Sequence, residues 1–381
     1  MILYGIVFIV ALFFAFCADL CQRETVVPIS AVTSTNGWRH DMLAQTATAK
    51  GARNAFIVLS ALSLILLSGL RYDTGYDYLY SYVPSLDATR AGYESHYDPL
   101  FNFIITVFAQ FDSNQWFFAS MAVYTVGMTY YALCKQSKYV MVPIALYIAS
   151  FTYLRAFCFV AQYVSIATFF VGSVFLLQRK YVKALVFLIL GCMLHLSGLV
   201  VVPLFLLFLI SNRTMLIVSI LLPVFSLVGQ STIRILAERF SVNTRFDYYI
   251  SSHYDSAYSD PRLTLINLAI FLLFILIWCM AKQTIASDKR AHWYLLAQSF
   301  ALAFSFVQPV FPVGYRFVWY FMIVQCVSIP YLLKYIMQGS IYYCCIALII
   351  LCFTVWMVLF QIPGPSEVIP YHPVFAPTSS Y

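Results

Sequence analysis

Long apolar runs separated by short polar stretches organise this chain. The runs cover roughly residues 2–17, 55–70, 115–134, 139–154, 156–178, 182–195, 197–210, 214–229, 263–281, 292–308, 317–333 and 340–361. They are continuous rather than alternating, which predicts helices and argues against barrel strands. Several approach the ~20 residues that cross a bilayer. The expected fold class is therefore all-α: a polytopic membrane protein of about twelve transmembrane helices, forming one integral membrane domain over residues 1–381. Residues 100–111 are apolar but short, so they predict an interfacial helix inside a first large loop, 71–114. A second large loop occupies 230–262.

Composition agrees with this reading. The chain is 62% hydrophobic and 10% charged, against about 25% charged in soluble domains. No Lys or Arg precedes the first apolar run, so that run reads as a retained span rather than a secretory signal. Charge then orients the spans. With both termini outside, the inner loops hold 14 of the 22 basic residues and four of the 15 acids, as the positive-inside rule requires. This orientation puts both large loops on the outer side. Treating 183–205 as a single span would turn Lys282, Lys289 and Arg290 outward, so the charge pattern predicts two short spans with a break near His195.

The outward-facing basic residues are all arginine: Arg71, Arg90, Arg155, Arg234, Arg239, Arg245, Arg262 and Arg316. A guanidinium grips phosphate with two parallel hydrogen bonds, whereas lysine acts as a point charge. An anionic ligand at the outer membrane surface would select arginine in this way. Pairing with the outer acids and lipid headgroups is the alternative, and it carries least weight for Arg71, Arg155 and Arg316, which stand at span ends.

The spans carry no Asp or Glu, which counts against a proton-coupled pump. The ten cysteines lie in or beside apolar runs, without a disulfide framework or a CxxC pair. No HExxH, GxSxG, Walker or GxGxxG motif occurs, so no metal, cofactor or nucleic-acid partner is expected.

Four stretches concentrate candidate chemistry. The first loop opens with LRYDTGYDYLYSYV, residues 70–83. Gly75 lets the chain turn between two acids, and Asp77 is a candidate general base. Tyrosine offers a flat apolar face and a hydroxyl, which suits a sugar ring, and Tyr72 and Tyr78 are the candidates here. An aromatic belt at headgroup level is the competing reading. In TYLRAFCFVAQ, Arg155 and Gln162 are expected on one helix face, turned into a cavity. His195 falls between Gly191 and Gly198 at the expected turn of a short hairpin. In QPVFPVGYRFVWYF, Pro309, Pro312 and Gly314 break the chain before Arg316 and Tyr320. Such breaks at membrane depth call for burial or a water-lined cavity. The second loop adds His253, Tyr248, Tyr249, Tyr254 and Tyr258.

In order and spacing, LRYDTGYDYLYSY, RAFCFVAQYVSIATFFVG, LGCMLHLSGLVVVPLF and YRFVWYFMIVQCVSIPYLL resemble the blocks of the EpsG-like, Wzy-type polymerases of bacterial O-antigen and exopolysaccharide. The resemblance covers about residues 69–335; the long first inner loop, 18–54, departs from compact relatives. It implies a metal-independent glycosyltransferase similar to the polyprenyl-dependent membrane glycosyltransferases. Both substrates would be oligosaccharides on undecaprenyl pyrophosphate in the outer leaflet of the bacterial inner membrane. The growing glycan would pass to the non-reducing end of an incoming repeat unit, with Asp77 or His195 as base. Arg71, Arg155 and Arg316 would hold the pyrophosphate. Tyr72, Tyr78, Gln162 and Tyr320 would hold glycan. Membrane lipids, a flippase and a chain-length regulator would be its partners.

Three other functions fit a chain of this class. A lipid-linked oligosaccharide flippase would carry charges within its spans and short outer loops. A membrane O-acetyltransferase of surface polysaccharide would need an inward path for acetyl-CoA. A structural subunit would tolerate loss of each outer arginine.

Overall fold

The computed structural model describes residues 1–24, 36–241, 260–310 and 314–375. Pro312, Arg245, His253 and the second-loop tyrosines 248, 249, 254 and 258 lie outside the described residues. The described residues are helical nearly throughout. Among the described residues the only sheet is a two-residue antiparallel pairing of Arg71–Tyr72 with His372–Pro373.

Among the described residues seven helices are long and apolar enough to cross a membrane: Ile2–Gln22, Thr48–Gly69, Gln115–Gln136, Val160–Leu177, Pro261–Met280, Tyr315–Leu333 and Gly339–Gln361. Counting Asn212–Val228 with Gln230–Leu236, which bend by 80° at Gly229, gives up to eight. About twelve full spans are therefore not shown, and the reasons differ by segment. The run 139–154 becomes a nine-residue helix, Met141–Ala149, and a single turn, Thr152–Arg155. Between them Phe151 takes a left-handed conformation, φ 61°. Nine helical residues reach only about 14 Å. The runs 182–195 and 197–210 become Tyr181–Leu194 and Leu196–Leu207, both short. The run 292–308 is the full-length helix Lys289–Val307, but Lys289, Arg290, His292 and Gln298 dilute its apolar character. Residues 100–111 form the expected short helix, Pro99–Phe108.

The fold divides into two compact units, Met1–Val171 with Ala347–Tyr381, and Gly172–Ile346. In the first, polar side chains pin neighbouring helices. Ser60 is fully buried, donates to the Ala11 carbonyl at 2.7 Å and meets the Tyr130 hydroxyl at 2.9 Å. Asp19 accepts from the Val140 and Met141 amides and so satisfies the exposed N–H groups that begin Met141–Ala149.

In the second unit a trio of buried amides joins three helices. Gln325 donates to Asn267 Oδ1 and to Gln298 Oε1, both at 2.9 Å, and Gln298 donates to the Asn267 carbonyl at 2.9 Å. Below the start of Lys289–Val307, Asp288 accepts from the hydroxyls of Tyr331 and Tyr335 at 2.7 and 2.6 Å. Arg290 stacks on the Tyr331 ring, 4.4 Å from its centroid.

Candidate functional site

The stretch 70–77 leaves the span Thr48–Gly69 and docks on the turn 151–159. Arg71 is buried, 2% exposed. Its Nη1 donates to the Ser68 carbonyl and to Ser68 Oγ, and its Nη2 to the Phe157 carbonyl at 3.3 Å. The guanidinium lies 5.1 and 4.8 Å from the ring centroids of Phe118 and Phe157. These aromatic faces and carbonyl dipoles solvate the charge in place of water. No carboxylate stands within ion-pair distance of Arg71 among the described residues; the ion pairs there are Arg90–Asp87 and Arg234–Glu238. Burial pulls the Arg71 pKa below its ordinary value, while the phenols of Tyr78 and Tyr153 act in the opposite sense. The group stays cationic at neutral pH. A hollow of about 10 Å³ lies against it, lined also by Ser68, Thr125, Tyr147, Tyr153 and Ala156. That is room for about one water molecule.

Gly75 explains how the loop comes so close. Its φ is +95°, and a Cβ there would stand 2.6 Å from the Phe157 carbonyl oxygen, the same oxygen that receives Arg71. Past this turn Asp77 opens the π-helix Tyr78–Tyr82. The Asp77 carboxylate is half-buried and near Tyr82 and Tyr97. Burial pushes the Tyr82 phenol far up, and Tyr97 and Asp77 add to that. Tyr82 accepts from the Ala161 amide at 3.1 Å.

The tyrosines divide by face. Tyr78 and Tyr82 point inward. Tyr78 is 1% exposed and stacked on Phe118 at 3.9 Å. The expectation that Tyr78 touches glycan is corrected by this packing, because its ring is covered. Tyr72, Tyr76 and Tyr80 are exposed, and Tyr76 and Tyr80 stack on each other at 4.7 Å.

Arg155 stands on the same turn that Arg71 reaches. It donates to Gln361 Oε1 at 2.8 Å and lies over the rings of Phe151 and Trp356. It does not line the hollow at Arg71, so the two arginines share a turn rather than that cavity. The shared helix face expected for Arg155 and Gln162 is also corrected. Arg155 ends the turn Thr152–Arg155, and the helix bearing Gln162 begins at Val160. Gln162 is buried within that helix.

Within the second unit, His195 and Tyr320 are brought together. His195 breaks the helix Tyr181–Leu194 with extended backbone, φ −156°. Its Nδ1 accepts from the Ser197 amide at 3.3 Å and lies 2.9 Å from Ser197 Oγ, which is 3.0 Å from the Tyr320 hydroxyl. Because an amide N–H points at Nδ1, the neutral ring carries its proton on Nε2. Ser197 was not among the expected site residues, although it lies inside the HLS segment that carries the family resemblance. Arg316 is one helical turn before Tyr320 and shares its face; its guanidinium lies over Tyr315.

Two of the arginines expected to face outward serve structure. Arg90 pairs with Asp87 at 2.6 Å and donates to the carbonyls of Ala109 and Phe111, bracing the first loop. Arg234 pairs with Glu238 at 2.9 Å.

No curated protein and no solved structure matches this chain. The EpsG family model matches residues 54–372, a stretch that contains the docked loop, the 151–159 turn, the His195 break and the Arg316 helix, and the chain belongs to the EpsG family.

Proposed function

We infer that this membrane protein is a Wzy-like polymerase of surface polysaccharide. It transfers a growing glycan from undecaprenyl pyrophosphate to the non-reducing end of a lipid-linked repeat unit, at the periplasmic side of the bacterial inner membrane. Membership of the EpsG family supports the reaction class. The observation that carries the chemistry is Arg71: a buried guanidinium held by carbonyl and hydroxyl oxygens, with no carboxylate in ion-pair distance among the described residues. A buried charge of this kind raises the local potential for an anion.

In the reaction, the acceptor hydroxyl gives its proton to the Asp77 carboxylate. Its oxygen bonds the anomeric carbon of the donor glycan. The bond from that carbon to the diphosphate breaks, and the electron pair leaves on the lipid diphosphate. Developing negative charge on the leaving group needs fixed positive groups more than a proton, and Arg71 and Arg155 of the first unit supply them; Arg316, in the second unit, is a separate candidate. Asp77 is the base in this proposal, its carboxylate half-buried at the head of the π-helix. Tyr72, Tyr76 and Tyr80, which are exposed, offer ring faces to sugar.

A gel of surface polysaccharide tests this reading. A deletion strain carrying Asp77→Asn makes single lipid-linked repeat units and no ladder of longer chains. Normal ladders in that strain reject Asp77 as the base. Normal ladders in the deletion strain itself reject the polymerase reading.

A further inference from the structure

The loop bearing Arg71 and Asp77 is not held by its own span alone. Residues 366–374, near the other end of the chain, run back across it and bond its main chain. The Gly75 amide donates to the Glu367 carbonyl at 2.9 Å, and the Tyr76 amide to the Ser366 carbonyl at 3.1 Å. Arg71 and Tyr72 pair with Pro373 and His372. The His372 amide donates to Thr74 Oγ1 at 3.1 Å, and the Val374 amide to the Leu70 carbonyl at 2.8 Å. Two tyrosines then fasten the returning segment. Tyr371 donates to the Leu67 carbonyl at 2.9 Å, and Tyr4 donates to the Val368 carbonyl at 2.6 Å. Val368 and Thr74 are fully buried.

The chemistry of these contacts is specific to position. Every loop residue from Leu70 to Tyr76 except Asp73 has a main-chain or hydroxyl bond or a strand partner in the strap. The strap supplies backbone groups almost entirely, so it fixes where the loop lies without adding reactive side chains. The loop in turn places the Arg71 guanidinium on the Phe157 carbonyl and sets Asp77 at the head of its π-helix. The family match runs to residue 372, so most of this segment belongs to the family's shared body.

Resting on the polymerase reading above, we propose that residues 366–374 are a positioning strap of the site: they hold the Arg71–Asp77 loop in working register, and polymer length depends on that hold. The test uses the full-length chain carrying Thr74→Val, Tyr371→Phe and Val374→Pro, which together remove three of the strap's bonds, and with Thr74 its own bond to the Tyr72 carbonyl, and leave Arg71 and Asp77 in place. Two readouts are taken: amide hydrogen exchange of residues 70–77 in the purified protein, and the polysaccharide ladder.

The proposal expects exchange in that segment at least tenfold faster and a ladder collapsed to short chains, with Thr74→Ser alone retaining both wild-type behaviours. Unchanged exchange overturns it, because the strap then does not hold the loop. Faster exchange with a normal ladder also overturns it, because the hold then has no bearing on polymer. Where the triple variant fails to accumulate, Val374→Pro against Val374→Ala gives the same comparison with one strap bond, that of the Val374 amide to the Leu70 carbonyl. The exchange readout involves no polymer. It therefore reports on the strap even in an outcome where the deletion strain rejects the polymerase reading.

Discussion

Gly75→Ala is the sharpest perturbation of the docked loop. Two costs arise, and Gly92 separates them. Both glycines have φ near +90°, +95° at Gly75 and +89° at Gly92. A side chain held in that region costs about 1–3 kcal/mol. At Gly92 a new Cβ meets nothing within 4 Å, so Gly92→Ala carries the backbone cost alone. At Gly75 the Cβ meets the Phe157 oxygen at 2.6 Å and the Cys158 nitrogen at 3.0 Å. Neither atom belongs to a flexible side chain, and the oxygen is already engaged by Arg71. The loop must lift, and the Gly75 and Tyr76 amides lose the Glu367 and Ser366 carbonyls, about 1 kcal/mol each. The total is roughly 3–5 kcal/mol, which opens the loop about 10²–10³-fold more often at 1.4 kcal/mol per decade. Hydrogen exchange over residues 70–77 measures this directly. Gly75→Ala exchanges there at least a hundredfold faster than wild type, while Gly92→Ala leaves the segment unchanged. Equal exchange in the two variants refutes the docking geometry.

Two further outcomes follow from the second unit. Burial alone would raise the Asp288 pKa, but hydrogen bonds from Tyr335, Tyr331 and the Ala291 and Arg290 amides bring it below the ordinary carboxylate value. The unfolded state therefore takes up the proton first on acidification, so this stabilisation is full above about pH 4 and is lost as pH falls further; in melting curves of purified protein, Asp288→Ala destabilises at neutral pH and shows a smaller loss below pH 4 than wild type. Gln325→Leu removes two interhelical bonds worth about 0.6 kcal/mol each in membrane interiors and leaves Gln298 and Asn267 acceptors short of a donor, so it lowers the melting temperature while a change at exposed Leu272 does not.

The chain shows how far a membrane sequence exposes its own architecture. Seven expected spans coincide with long apolar helices because length and continuity of apolar residues are what a bilayer selects. A break near His195 was expected from charge, since an unbroken span would have put Lys282, Lys289 and Arg290 on the expected outer side, and the helix does end at Leu194. The break at Phe151 was not legible: it comes from one left-handed residue within an apolar run, with no glycine, proline or charge to mark it. The inward turn of Tyr78 and Tyr82 and the outward turn of Tyr76 and Tyr80 follow the spacing of four that a helix imposes, a pattern obscured by tyrosine at every second position. The strap left no trace in the pattern, because it acts through main-chain groups that every residue carries. Ser197 sat in plain view beside His195, and only the fold gives it a partner in Tyr320.

The account rests on guanidinium groups receiving a lipid-borne diphosphate. Binding of undecaprenyl pyrophosphate and of uncharged undecaprenol to the purified protein, compared with Arg155→Lys and Arg316→Lys variants, tests this most directly. Wild type is expected to favour the diphosphate at least tenfold, with each lysine variant losing most of that preference because the two-pronged grip is gone. Equal affinity of the wild-type protein for the charged and uncharged lipids would contradict the account.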